Sequence, residues 1–397
     1  MCRRQELDTS TSEVNPTMLL GFNYPESFNR DGSDFGPNFW VDQSTWDTNN
    51  QLEASGNISS IPLPPLFLNL DQNLADLKRL GIDVVRWFIL GNGNSYGPAP
   101  VKKFGRLGTF SATYTFAPPS IVDKRFRRDF TELLVRFKNA GMQLIPSLLN
   151  FEFGSEMIAG ASPNGTGHGG RADVMRDPVK RKVFLDTMLA ELLSASAAFK
   201  QQTGSAPILA WEVINEPVWL CVGFGPLSNP KWLPRQAELT DSQMTDFLSD
   251  AIKRIEAAGF RSTVGHRYFS DLKKYPTGNM PQFHYYAEHP FPGYTDPAQI
   301  QGQRLFSGDS KPFLGEFDSA RNRFGNPWPE LRIDPSTTAR LKLLENEGCE
   351  IALIWSDLPD NDVTVVKKDI IKLIDVTRME IAAYTHGVLP PPERQGP

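Results

Sequence analysis

The chain has 397 residues, enough to bury a large core as one large domain or two ordinary ones. Its composition is globular, 40% hydrophobic and 22% charged, and a net charge of −5 with no basic cluster argues against a nucleic-acid partner. Three cysteines without motif spacing (Cys2, Cys221, Cys349) offer neither a disulfide framework nor a metal site, and no run is long and apolar enough to span a membrane.

Residues 1–17 are polar and rich in Ser and Thr, which predicts a loose arm. The N-terminus lacks the apolar segment of a secretory signal, so the chain as it stands is expected to be cytoplasmic, or secreted if a leader was trimmed. Leu19–Tyr24 is the first strand candidate, closed by Pro25, and a long loop follows to about Pro65 with Trp40 and Trp46 in it. The leucines of Leu68–Leu80 recur at helical spacing up to Gly81, and Ile82–Phe88 is a second strand, apolar but for Arg86. The alternation then repeats. Helices are predicted at 125–139, 179–199, 242–258, 297–306, 335–347 and 365–385, with a short one at 269–274. Strands are predicted at 142–149, 208–214, 262–266, 282–286, 312–316 and 350–355. Eight strands in one chain, each followed by a helix and nearly all apolar, fit a closed (β/α)8 TIM barrel over residues 18–386 with long βα loops, followed by a proline-rich tail at 387–397. No glycine-rich phosphate loop follows the first strand, which weakens a dinucleotide-binding alternative.

In such a barrel, chemistry sits where strands run out into βα loops. The polar strand ends here are Arg86, Asn150, Asn215 with Glu216, His266, His284 with Tyr286, Glu316 and Trp355. Glu216 ends an apolar strand that Pro217 terminates, and Glu316 ends another of the same form. Two glutamates facing each other across a cleft suit glycoside hydrolysis, provided that they are held in different protonation states. Arg86 and Tyr286 are expected to keep Glu316 ionised as a nucleophile. Glu216, with fewer charge partners, is expected to have a raised pKa and act as the acid. Asn215 is placed to meet a sugar hydroxyl beside the reacting carbon, and Trp355 to offer an apolar face to the ring. Glu212, inside its strand, is expected to be a satisfied buried carboxylate. His266 is read equally as structural or catalytic, and Trp219, Trp232 and Trp328 as sugar platforms or loop packing. The five histidines show no paired ligand spacing, so a metal hydrolase is not expected.

From about Leu19 to Tyr384 the chain resembles the clan A glycoside hydrolases, most of all family 5, which contains cellulases and β-mannanases. The residues that carry the resemblance are Asn215-Glu216-Pro217, Gly315-Glu316-Phe317, Val85-Arg86, His284-Tyr285-Tyr286 and Trp355. It implies a retaining double displacement on β-linked gluco- or manno-configured sugars, with Glu216 as acid/base, Glu316 as nucleophile, Asn215 as the 2-hydroxyl contact and no cofactor. The family usually has a histidine at the end of the third strand, where this chain has Asn150. A carbohydrate-binding barrel that has lost catalysis, or a transglycosidase using the same residues, are the alternatives. The loops at 25–65 and 218–240 suggest a walled cleft and exo-type cleavage.

Overall fold

The computed structural model describes residues 19–23, 48, 51–63, 67, 70–79, 81–91, 124–155, 171–222, 237–285, 313–318 and 349–355. Eight strands lie within these residues: β1 Leu19–Asn23, β2 Val84–Phe88, β3 Gln143–Asn150, β4 Trp211–Asn215, β5 Ser262–His266, β6 Gln282–Tyr285, β7 Phe313–Asp318 and β8 Ile351–Trp355. Each pairs in parallel with its sequence neighbours, and β8 returns to β1, so the sheet closes into a barrel without an edge. The expected fold is the observed one. The expected helices at 297–306, 335–347 and 365–385, the arm, the tail and most of the 25–65 loop lie outside the described residues.

The longer described helices are α1 Leu70–Arg79, α2 Lys124–Asn139, α3 Pro178–Phe184, α4 Ala190–Thr203 and α5 Asp241–Ala257. None of them is long and apolar enough to cross a membrane. Asp177 caps α3, its carboxylate accepting from the Val179 and Lys180 amides, and Pro178 takes the first-turn position where no N–H is needed. A π-helical stretch, Leu185–Leu189, joins α3 to α4, which ends at Gly204 in the left-handed conformation. Thr240 and Gln243 form a reciprocal capping box at the start of α5.

Apolar residues at helical spacing decide which side of each helix turns inward. On α2, Phe126, Phe130, Leu133, Leu134 and Phe137 are fully buried, and Phe130 meets the Trp211 ring of β4 with centroids 5.4 Å apart. Burial of each such side chain stabilises the barrel wall by roughly 2 kcal/mol. Inside the barrel a second apolar cluster gathers Val84, Ile145, Ala210, Met280, Phe313, Ile351 and Leu353. Val84, Phe313 and Ile351 are the first residues of their strands, so this plug fills the N-terminal end. The polar strand residues lie farther along, towards the C-terminal rim.

Two strands break the simple alternation there. In β4 and β5 the register runs Glu212↔Thr263 and then Asn215↔Gly265, three residues of β4 against two of β5. That bulge turns Glu212 and Asn215 to the same interior face, although an odd separation would part them in a regular strand. In β7 the register slips between Leu314 and Phe317. Phe313 belongs to the interior plug, and Glu316 also reaches the polar layer above it.

Candidate active site

The polar layer is built around Arg86. Its guanidinium, 1% exposed, donates from Nε and Nη2 to the two oxygens of Glu212, both at 2.6 Å. Nη2 also reaches Asn215 Oδ1 at 2.7 Å, and Nη1 reaches Asn23 Oδ1 at 2.9 Å and Glu316 Oε1 at 2.7 Å. Burial works against the charge, but Glu212 and then Glu316 outweigh it, so the guanidinium is raised above its ordinary range and stays protonated. Ser147 adds a hydroxyl to Glu212 at 2.7 Å. Burial pushes the Glu212 carboxyl up, but the Arg86 charge and hydrogen bonds and the Ser147 hydroxyl leave it lowered overall. Glu212 is thus a satisfied buried carboxylate, and Arg86 is both an ion pair within the barrel and a contact of Glu316.

Gly265 makes this packing possible. A Cβ there would lie 3.0 Å from Glu212 Oε1 and 3.1 Å from both Arg86 Nη2 and Asn215 Oδ1. The Asn215 amide is fixed at both ends, because its Nδ2 donates to Asn150 Oδ1 at 3.1 Å. Asn150 Oδ1 also accepts the Phe151 amide at 2.8 Å. With Oδ1 occupied by Arg86, the second N–H of Asn215 is the group it can offer to a ligand hydroxyl.

Glu216 and Glu316 come from strands far apart in sequence and meet at one histidine. His284 Nδ1 lies 2.9 Å from Glu216 Oε1 and 3.3 Å from Glu316 Oε2. On the other side of the ring, Nε2 faces Gln282 Nε2 at 3.4 Å, and Gln282 Oε1 accepts from Thr263 Oγ1 at 3.2 Å. An amide donor on Nε2 makes that nitrogen the acceptor and puts the ring proton on Nδ1, between the two carboxylates. The three groups present ligand atoms all within 4.8 Å of one another, a set that could hold a divalent cation. Arg86, 2.7 Å from Glu316 Oε1, competes for the same charge.

The expectation of a raised pKa at Glu216 is overturned. Burial does push this carboxyl up, but the hydrogen bond of His284, the charge of Arg267 and the Trp219 indole outweigh it, and the group is lowered to about 2. Trp219 Nε1 donates to Oε2 at 2.6 Å, and the Arg267 guanidinium lies 3.6 Å from the Trp219 ring centroid. The expectation of few charge partners failed because these partners come from the loops after β4 and β5, which strand-end reasoning does not inspect. Among the described residues Glu216 is the one non-glycine residue with positive φ, at 45°.

The structure brings together Arg86, Asn150, Asn215, Glu216, His284 and Glu316. Trp355 closes β8 with its backbone, and its side chain, like Tyr286, lies outside what the structure describes. His266 is structural: fully buried, it has Nε2 at 3.2 Å from the Pro276 carbonyl and its ring stacked on Tyr275. Sequence reasoning missed Asn23, Gln282 and Arg267 altogether, and it read Trp219 only as a loop residue. Asn23 is a polar residue closing the apolar β1 and Gln282 one opening β6 before Phe283, a signal of the kind that marks Arg86 in β2.

No protein-family model and no curated protein sequence matches the chain. Solved structures do. A β-mannanase from the blue mussel Mytilus edulis is similar over 90% of this chain and 91% of its own, with a TM-score of 0.52 at 15% identity. A β-1,4-D-mannanase from Cryptopygus antarcticus is similar over 90% of both chains, with a TM-score of 0.53 at 17% identity. A GH5_18 enzyme from Bifidobacterium longum in complex with Manβ1-4GlcNAc is similar over 95% of this chain and 80% of its own, with a TM-score of 0.50 at 13% identity. What this chain shares with them is the fold, a (β/α)8 barrel like that of the clan A, family-5 glycoside hydrolases.

Proposed function

We propose that this barrel is a retaining glycoside hydrolase acting on β-linked, manno- or gluco-configured oligo- or polysaccharides. The observation that carries the reading is the convergence of Glu216 and Glu316 on His284 Nδ1 at 2.9 and 3.3 Å. Carboxyl groups in retaining enzymes stand about 5 Å apart, and those in inverting enzymes about 6.5–9.5 Å, to admit a water. One oxygen of Glu216 and one of Glu316 lie within 4.8 Å of each other, which favours the retaining spacing over the inverting one.

In the first step Glu316 attacks the anomeric carbon while Glu216 protonates the departing oxygen. In the second, Glu216 takes a proton from water, which displaces Glu316. Arg86 keeps Glu316 oriented and charged by a charge-assisted bond. The free N–H of Asn215 is offered to the 2-hydroxyl of the bound sugar, where a contact strengthens as positive charge develops on the ring. Mannose is favoured because the similar folds belong to proteins described as β-mannanases and to a complex with Manβ1-4GlcNAc.

The test is a panel of aryl β-mannosides and β-glucosides with β-1,4-linked mannans and glucans, run on wild type, Glu316→Ala and Glu216→Ala. Cleavage of one sugar class, loss of activity in Glu316→Ala and azide rescue of Glu216→Ala on an activated aryl glycoside support both roles. Binding without cleavage in wild type, or full activity in Glu316→Ala, refutes them in favour of a binding barrel.

A further inference from the structure

Glu216 stands in an unusual local setting. Its φ of 45° is left-handed backbone that an L side chain rarely adopts, so the conformation must be held by its surroundings. The turn is fixed by the Glu216 amide, which donates to the Gly265 carbonyl at 2.7 Å, and by the Trp219 amide, which donates to the Glu216 carbonyl at 3.2 Å. The short helix that follows, Val218–Val222, carries Trp219, whose indole N–H donates to Glu216 Oε2. The indole is itself gripped: Arg267, 3% exposed, lies over its ring, and the Phe151 ring sits with its centroid 6.3 Å away.

We propose that Trp219, backed by Arg267, is a positioning residue for Glu216: its indole N–H aims Oε2 and yields it when a leaving group takes its place. The proposal rests on the acid/base reading of Glu216 above. The oxygens are not equivalent. Oε1 is committed to His284, between the two glutamates, which leaves Oε2 to meet the departing glycosidic oxygen. Trp219 occupies that same oxygen, so the incoming sugar and the indole compete for it. Besides Trp219, the groups facing the carboxylate are His284 and, through it, Glu316 from β6 and β7, with Arg267, Tyr268 and Asp271 after β5. Arg267 and His284 favour the ionised form. Asp271, itself pushed up by burial to about 6, is kept from ionising partly by the Glu216 charge. Trp219 is a neutral donor, and it can be removed without altering the site's net charge.

The test reads the bond first and catalysis second. The chain has 8 tryptophans, and the Trp219 indole signal in a proton–nitrogen NMR spectrum is identified by its loss in Trp219→Phe. In wild type it should titrate with pH, its inflection below the ordinary glutamate range, and in Glu216→Gln the titration should vanish. An indole signal indifferent to Glu216→Gln overturns the proposal whether or not Trp219→Phe folds well. Trp219→Phe keeps a ring for Arg267 to stack on and removes only the donor. Losing one charge-assisted hydrogen bond to a carboxylate should move the alkaline limb of kcat/KM, read on β-1,4-linked manno- and gluco-oligosaccharides whose leaving group needs a proton, upward by about one pH unit. An unmoved limb makes Trp219 a packing residue and overturns the proposal. If the indole titrates as expected but azide fails to rescue Glu216→Ala, the acid/base reading fails and the Trp219–Glu216 bond stands.

Discussion

Gly315 of β7 leaves room for the Gln282 side chain of β6, and replacing it tests how tightly that side chain is held. A Cβ at 315 would lie 2.0 Å from Gln282 Nε2, 2.5 Å from its Cδ and 2.6 Å from its Cγ. Gln282 is fully buried, and the contact involves the middle of its side chain as well as the tip, so a simple swing cannot relieve it. Overpacking of this kind costs about 1–3 kcal/mol, and displacing the Gln282 amide from Thr263 and His284 adds about 1 kcal/mol for each bond. Gly315→Ala is therefore expected to destabilise the barrel by about 3–5 kcal/mol, read as a lower urea midpoint at unchanged m. Gln282→Ala removes all three clashing atoms. In the double variant the new methyl enters the space they leave, so the two losses should fall short of their sum by about 1–3 kcal/mol. A neutral Gly315→Ala, or strictly additive losses, would refute the account.

Glu212→Gln, which leaves Arg86 facing an amide N–H where it had a carboxylate oxygen, should cost about 3–5 kcal/mol in equilibrium unfolding; a loss below about 1 kcal/mol would mean that the pair is not sealed from water. His266 is pushed down to about 4 by burial, so between its unfolded value of 6.5 and 4 the unfolded chain binds the proton and the folded one does not. Acidification through that window should therefore favour His266→Phe over wild type by about 3 kcal/mol in urea midpoints compared at each pH, while Asp271, raised to about 6, acts with the opposite sign in both proteins. A constant gap between the two proteins would show that His266 charges freely in the fold. Asn150→Ala frees the Asn215 amide and should lower kcat/KM about tenfold on substrates with a 2-hydroxyl, but not on 2-deoxy glycosides. Where glycosylation limits turnover, the alkaline limb of kcat should lie above that of kcat/KM, since a bound sugar buries Glu216 further and displaces Trp219; coincident limbs would mean that binding leaves the carboxyl's surroundings unchanged.

The barrel was legible because its strands are buried on both faces and carry few polar residues, so each polar residue near a strand end stood out. Arg86, His284 and the two glutamates were found in that way. The same signal at Asn23 and Gln282 passed unused, because neither ends its strand in a recognisable motif. What the sequence could not convey was facing. Glu212 and Asn215 both bind Arg86 only because β4 bulges against β5, and no alternation of residue types announces a bulge. The boundaries moved for related reasons: the strand expected at 208–214 is displaced to Trp211–Asn215, while Ile208 keeps a single bridge to Leu144. Trp219 was seen as one of several loop tryptophans, and only the left-handed turn at Glu216 singles it out.

The misjudged charge at Glu216 follows from counting partners along strands alone. Around Arg86 the layer holds Glu212 and Glu316, two carboxylates against one guanidinium. Glu216 adds a third, and Arg267, which reaches it through Trp219, adds a second guanidinium. The sum leaves one negative charge, which a proton on Glu216 cancels. In the proposed mechanism Glu216 is the acid of the first step with that proton and the base of the second without it. Burial by substrate favours the neutral carboxyl, and departure of the leaving group exposes it again and favours the carboxylate. A carboxyl lowered in the free site is thus compatible with acid catalysis as long as the sugar itself removes the donors that lower it. Trp219 is the donor standing where that sugar must go.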